Sequence, residues 1–321
     1  MNGKRIIQMK NVTKIFDNEV VALSNVNMEI NEGITGFVGP NGAGKTTALK
    51  LLMGQAKPNI GTVRVLGRDP FMDIELHREV VIINEFTNLK SLNFMRVESF
   101  LKNFGAIGLS KSEAAKNAEE ALRTVSLTDA KRKRIGTLSK GMRQRLKIAY
   151  ALTINPRPRV ILADEPISGV DPLGRQEIFD LFKGLNHDFG TSTFIASHLL
   201  FEVDPIASNG IVLIHNGKIV AAGLTKQIRA LLSDYPYRFR IICGKDKGRV
   251  LARQLFDQGL VTSIDISPNE TNDIVEIATD TPQRLYSFIP EAFLNPELQI
   301  RNFVNLEEEI ATEKIFEYLL R

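Results

Sequence analysis

The chain has 321 residues, 43% hydrophobic and 24% charged, with 41 Lys and Arg against 37 Asp and Glu for a formal net charge of +4. These globular values exclude a disordered chain, a collagen and a coiled-coil rod, and so small a basic excess is no argument for nucleic acid. A single cysteine, Cys243, can make neither an internal disulfide nor a cysteine zinc cluster, so a reducing compartment is expected. No run approaches ~18 apolar residues and the first residues form no leader, so the sequence reads as a soluble, cytoplasmic chain of about two domains.

In chain order, residues 6–16 and 20–30 read as antiparallel strands, as do 61–66 nearby. Short apolar runs at 34–38, 159–163 and 193–196 read as buried strands, and helical patterns at 44–53, 111–125 and 143–152 lie between them. That alternation predicts an α/β domain with a mainly parallel sheet. Residues 1–230 carry 31 basic and 22 acidic side chains, whereas 231–321 carry 10 and 15. The sign change, with Pro236 beside it, places a domain boundary near 234, giving domains 1–233 and 234–321. The second part reads strand 237–243, helix 247–257, strands 262–266 and 273–278, helix 281–288, strand 298–303 and helix 306–320. This order suits a small α+β ferredoxin-like unit with a terminal helix.

Residues 39–46, Gly-Pro-Asn-Gly-Ala-Gly-Lys-Thr, fit G-x-x-x-x-G-K-[ST] between an expected strand and an expected helix. Glycines let backbone N–H groups face phosphates, Lys45 neutralises β/γ oxygens, and the Thr46 hydroxyl ligates Mg²⁺. The binding set is thus Gly39, Asn41, Gly42, Ala43, Gly44, Lys45, Thr46 and Thr47. Downstream, an apolar strand ends in Asp164-Glu165. Asp164 can join the Mg²⁺ shell, and Glu165 can orient or deprotonate an attacking water.

Between these lies Leu138-Ser-Lys-Gly-Met-Arg-Gln-Arg145, followed by Ser168-Gly-Val-Asp171 and Thr193-Phe-Ile-Ala-Ser-His198. This ordered set resembles the ATP-binding cassette (ABC) ATPases, over roughly residues 4–230, and in particular the variant found in bacterial and archaeal exporters whose permease is a separate chain. The resemblance implies a P-loop NTPase cassette, with an antiparallel β subdomain and a helical subdomain beside the parallel sheet. It also implies a head-to-tail dimer enclosing two ATP molecules with Mg²⁺; a homodimer is expected, with pairing to a related chain left open. Each ATP would lie between one phosphate loop and Ser139 and Gly141 of the other copy, and Asp171, in the segment that looks like the D-loop, would join the nucleotide site. Ser139 is equally an ordinary helix cap. By the same resemblance His198 contacts the γ-phosphate and Phe16 stacks on adenine, although either residue could also belong to a core. Glu85 falls where the family keeps a glutamine that joins the metal and water network, or is an exposed loop acid. Lys140 and Met142 depart from the commonest signature.

The basic run 131–134 has no interleaved aromatics and reads as a solvated face, helped by proximity to anionic lipid. Residues 86–105 are rich in apolar side chains, and the family resemblance makes Phe94 and Met95 candidates for docking a permease helix, against core packing. The expected function is an ATPase subunit driving a separate permease, with export favoured, on the cytoplasmic face of the membrane. The competing class is a cassette ATPase acting on DNA or the ribosome. Lys45 and Ser139 stand only 94 residues apart, too few for a long coiled-coil insertion, and one cysteine excludes a cysteine zinc module.

Overall fold

A computed structural model describes residues 4–16, 19–84, 89–105, 109–155, 157–231 and 236–306. The chain divides into two compact units, Met1–Thr225 and Lys226–Arg321. The boundary expected at 234, Glu85 with Phe86, and the helix expected at 306–320 (Leu306 apart) lie outside the described residues.

The first unit opens with β1 (Arg5–Phe16) and β2 (Val20–Asn31), antiparallel partners that place Met9 opposite Met28 and Val12 opposite Val26. Their apolar residues alternate with polar ones, so Ile7, Met9, Val26 and Met28 turn inward and the other face meets solvent. After β3 (Ile34–Val38) and α1 (Lys45–Leu52), β4 (Ile60–Val65) completes a three-stranded sheet of order β2-β1-β4. The chain continues through β5 (Val80–Ile83), α2 (Val97–Phe104), α3 (Lys111–Thr124), α4 (Lys140–Thr153), β6 (Val160–Asp164) and α5 (Pro172–Phe189). It then forms β7 (Ser192–Ser197), α6 (Leu200–Val203), β8 (Gly210–His215) and β9 (Lys218–Gly223), and α7 (Thr225–Leu231) runs from the last residue of this unit into the second.

The second sheet has the order β5-β6-β7-β3-β8-β9 and is parallel apart from the β8–β9 hairpin. Every residue of β3 and β7 is buried. Covered on both faces, these strands need continuous apolar runs rather than alternation, which is how the sequence announces them. Helix α4 starts at Lys140, earlier than its apolar pattern, because Ser139 caps it. β5, α2, α5 and the β8–β9 hairpin are not among the elements expected from the sequence. α5 begins at a proline behind the Asp171 cap and ends at Gly190 in the left-handed conformation, so a start signal and a stop signal are both present in the sequence.

In the second unit, β10 (Tyr237–Gly244), α8 (Gly248–Asp257), β11 (Ser263–Pro268), β12 (Asn272–Thr279), α9 (Pro282–Leu294) and β13 (Asn302–Asn305) build an antiparallel sheet of order β11-β12-β10-β13. Phe239, Ile241, Leu251, Leu255, Val275 and Leu285 form its interior. The last strand begins at Asn302 rather than 298. Leu298 is buried from a turn closed by its own N–H on the Asn295 carbonyl, so its apolar character reflects burial without strand pairing. Among the described residues, no helix is long and apolar enough to cross a membrane.

The first unit's core joins its two sheets through Ala48, Leu49, Leu51 and Leu52 of α1. At its centre, fully buried Phe37 and Phe194 meet with ring centroids 5.0 Å apart. Phe194→Ala is expected to cost ~3–5 kcal/mol in urea unfolding. A loss below ~1 kcal/mol would show that this pair does not anchor the sheet.

Candidate functional site

Three neighbouring strands of the parallel sheet, β6, β7 and β3, end at the same edge and deliver the predicted residues there. The crevice beyond such carboxyl ends is where open α/β sheets bind ligands. After β3 the chain turns through the glycine loop into α1. An added Cβ at Gly39 would strike the Ile214 carbonyl, and Gly44, at φ +105°, lies against the Ala22 carbonyl, so both turns require glycine. The Gly217 N–H donates to the Ala43 carbonyl at 3.0 Å and pins the loop to the β8–β9 turn.

Lys45 is only 7% exposed, and its Nζ donates to the carbonyls of Gly39 at 2.6 Å and Pro40 at 3.2 Å. It also lies 3.9 Å from Glu165 Oε1. Burial lowers the Lys45 pKa, and the Glu165 and Asp164 carboxylates oppose that shift. Phosphate oxygens would give this ammonium better partners than loop carbonyls do. Thr46 Oγ1 donates to Asp164 Oδ2 at 3.2 Å, bringing an alcohol and a carboxylate oxygen to one point. Among the described residues no three His, Cys, Asp or Glu cluster as a metal cage. Two hard oxygens without a cage fit Mg²⁺, which usually takes one or two protein ligands and keeps water and phosphate for the rest.

Glu165 follows Asp164 at φ +49°, an uncommon conformation for a side chain of its size. Its N–H donates to the Ala196 carbonyl at 2.9 Å, which ties it to β7. His198 Nδ1 lies 2.9 Å from Glu165 Oε2. That hydrogen bond raises the His198 pKa above its ordinary value against the lowering effect of burial. Lys45, Thr46, Asp164, Glu165 and His198 therefore meet in one place.

A second grouping lies at the start of α4. Ser139 Oγ accepts from Met142 N–H at 3.2 Å as the helix cap, and an added Cβ at Gly141 would come within 3.3 Å of Val170 Cγ1. Asp171 caps α5 by accepting from Gly174 N–H at 2.9 Å. Phe16 is 39% exposed, so it is no core residue, and it pairs with Val20 on the strand whose Ala22 borders Gly44. Lys14 Nζ sits 5.0 Å from its ring centroid.

Arg175 and Glu202 are not among the residues expected from the sequence, and Ser197 enters there only within the run 193–198. Glu202 is 2% exposed, accepts from Ser197 Oγ, and lies 3.8 Å from Arg175 Nη1. Burial raises its pKa, and the bond from Ser197 and the charge of Arg175 pull it back. An acid four residues after His198 reads in sequence as an exposed helix residue, and no local pattern distinguishes it.

Residues 23–168 match the ABC transporter family. The chain is 38% identical over 221 residues to the bacitracin transport ATP-binding protein BcrA of Enterococcus faecalis, covering 67% of this chain and 68% of that protein. It is 33% identical over 237 residues to the doxorubicin resistance ATP-binding protein DrrA of Mycobacterium tuberculosis, covering 73% and 70%. A solved ABC transporter cassette in its ADP conformation superposes with a TM-score of 0.63 at 27% identity, over 72% of this chain and 96% of that one. A dimeric post-hydrolysis cassette bound to ADP and Pi gives 0.59 at 26%, over 68% and 99%.

The His198–Glu165 pair makes stability depend on pH. Because folding raises the His198 pKa, its contribution is complete below about pH 6.5 and fades as pH rises through the folded value. The thermal midpoint of the wild-type chain should exceed that of His198→Ala most in mild acid, with the margin shrinking as pH rises above the ordinary histidine range. A margin independent of pH would contradict the charged pairing.

Proposed function

Since the chain belongs to the ABC transporter ATP-binding family and hydrolyses ATP as a transporter subunit, we propose that it works as a homodimer on a separate integral membrane permease, in export. The convergence of Lys45, Thr46, Asp164, Glu165 and His198 at three adjacent strand ends carries this reading. Backbone N–H groups between Asn41 and Thr47 cradle the phosphates at the start of α1, where the helix dipole favours negative charge. Lys45 exchanges its loop carbonyls for β/γ oxygens. Thr46 and Asp164 hold Mg²⁺, which when bound neutralises charge on the phosphate oxygens. Glu165 orients the attacking water and accepts its proton, and His198 fixes the Glu165 rotamer and reaches towards the γ-phosphate. Glu85, by its place in the family pattern alone, is proposed for the same metal and water network.

Phe16 stacks on the adenine, and its exposure supports that role. Ser139 and Gly141, at the amino end of α4, meet the γ-phosphate of the other copy, and Asp171 joins the nucleotide site. Bacitracin transport and doxorubicin resistance, for which the two relatives are named, support export. The subunit then sits on the cytoplasmic face of the membrane, and residues 234–321 form an accessory domain.

Glu165→Gln keeps the shape of the residue but removes the base, so kcat should fall ~100-fold or more while ATP binding persists. Trapped with Mg-ATP in its host and extracted in mild detergent, this variant should co-purify with a polytopic membrane protein. Recovery of ribosomal or DNA-bound proteins instead would overturn the transporter reading. Of the apolar stretch at 86–105, Val97, Phe100 and Leu101 belong to the core, whereas Phe94 is 70% exposed. Phe94→Glu should leave folding and ATPase intact and uncouple transport from hydrolysis. Parallel loss of folding and ATPase would place Phe94 in the fold rather than at a docking surface.

A further inference from the structure

The two groupings are linked within the chain through an ion pair whose carboxylate, Glu202, is buried. Gly141 packs on Val170, and Lys140 lies across Gly169, so the start of α4 rests on the segment 168–171. The Val170 carbonyl accepts from Arg175 Nε at 2.7 Å. The same guanidinium reaches Glu202 Oε1 at 3.8 Å through Nη1. The other Glu202 oxygen accepts from Ser197 Oγ, which itself accepts from the Leu199 N–H at 3.1 Å. Ser197 also takes the Gly39 N–H on its carbonyl at 3.2 Å, and its neighbour His198 holds Glu165.

A carboxylate this deeply buried gains little stability over a well-packed apolar side chain. Its two oxygens instead fix two directions, one towards the guanidinium and one towards the hydroxyl beside His198. We propose that Arg175 and Glu202 are a positioning pair that holds segment 168–171 and the His198 end of β7 in a single geometry, so that the start of α4 and the Glu165–His198 pair move together. Neither side chain touches the reacting atoms. The proposal rests on the ATPase reading for its catalytic consequence and on the fold alone for its geometric one.

Hydrogen exchange and steady-state kinetics on the full-length chain test both parts. In Glu202→Gln, which preserves shape and removes the charge facing Arg175, amides of residues 168–171 should exchange about tenfold faster while those of β12 keep their rates. The kcat for ATP should fall by about tenfold to a hundredfold with KM within about twofold, the mark of misplacement rather than lost binding. Arg175→Lys should recover part of the kcat lost in Arg175→Met, and the double variant Arg175→Met/Glu202→Gln should be no worse than the worse single one. Unchanged exchange at 168–171, or a kcat that falls only with the folded fraction, would overturn the pair as a positioning device and leave the ATPase reading standing. A wild-type chain without turnover would defeat the ATPase reading, and the exchange experiment would still decide the pair.

Discussion

The arrangement around Lys45 depends on a charge that must be buried before its ligand arrives. An ammonium at the start of α1, nearly excluded from water, is tolerable only because two loop carbonyls and the Glu165 carboxylate surround it. Those carbonyls face inward because Gly39 and Gly44 let the loop pass against Ile214 and Ala22. The loop in turn stays in place because β3 is buried between β7 and β8. The apolar sheet thus holds a polar loop in a conformation that a free peptide would not keep.

The same logic extends to the acidic side of the site. Glu165 lies beyond the end of β6 in the left-handed region, a cost of ~1–3 kcal/mol for a residue without glycine's freedom. Its bond to the Ala196 carbonyl and the contact with His198 sustain that conformation. Strain at the end of a rigid strand lets the carboxylate face Lys45 while its neighbour Asp164 faces Thr46. Adjacent residues thereby serve separate tasks.

Helix caps give several residues a second role. Ser139 and Asp171 each satisfy the first turn of a helix, which accounts for their presence on structural grounds alone. A helix start that must be capped also presents unpaired N–H groups, so a cap and an anion site are compatible uses of the same few residues. Arg175, one turn into α5, connects that region to the buried Glu202.

Chemistry that depends on local spacing was legible in the sequence: the glycine loop between a strand and a helix, the paired carboxylates at a strand end, and the continuous apolar runs of β3, β6 and β7. Such features arise from short-range sterics and burial on both faces, which one stretch of chain encodes by itself. Tertiary structure decided which distant groups meet. Glu165 pairs with His198, Phe16 is exposed rather than packed, Leu298 is buried without pairing, and Glu202 is enclosed beside Arg175. Those outcomes depend on side chains brought together from far along the chain. The residue types at those positions are compatible with either fate, so only the folded packing selects one.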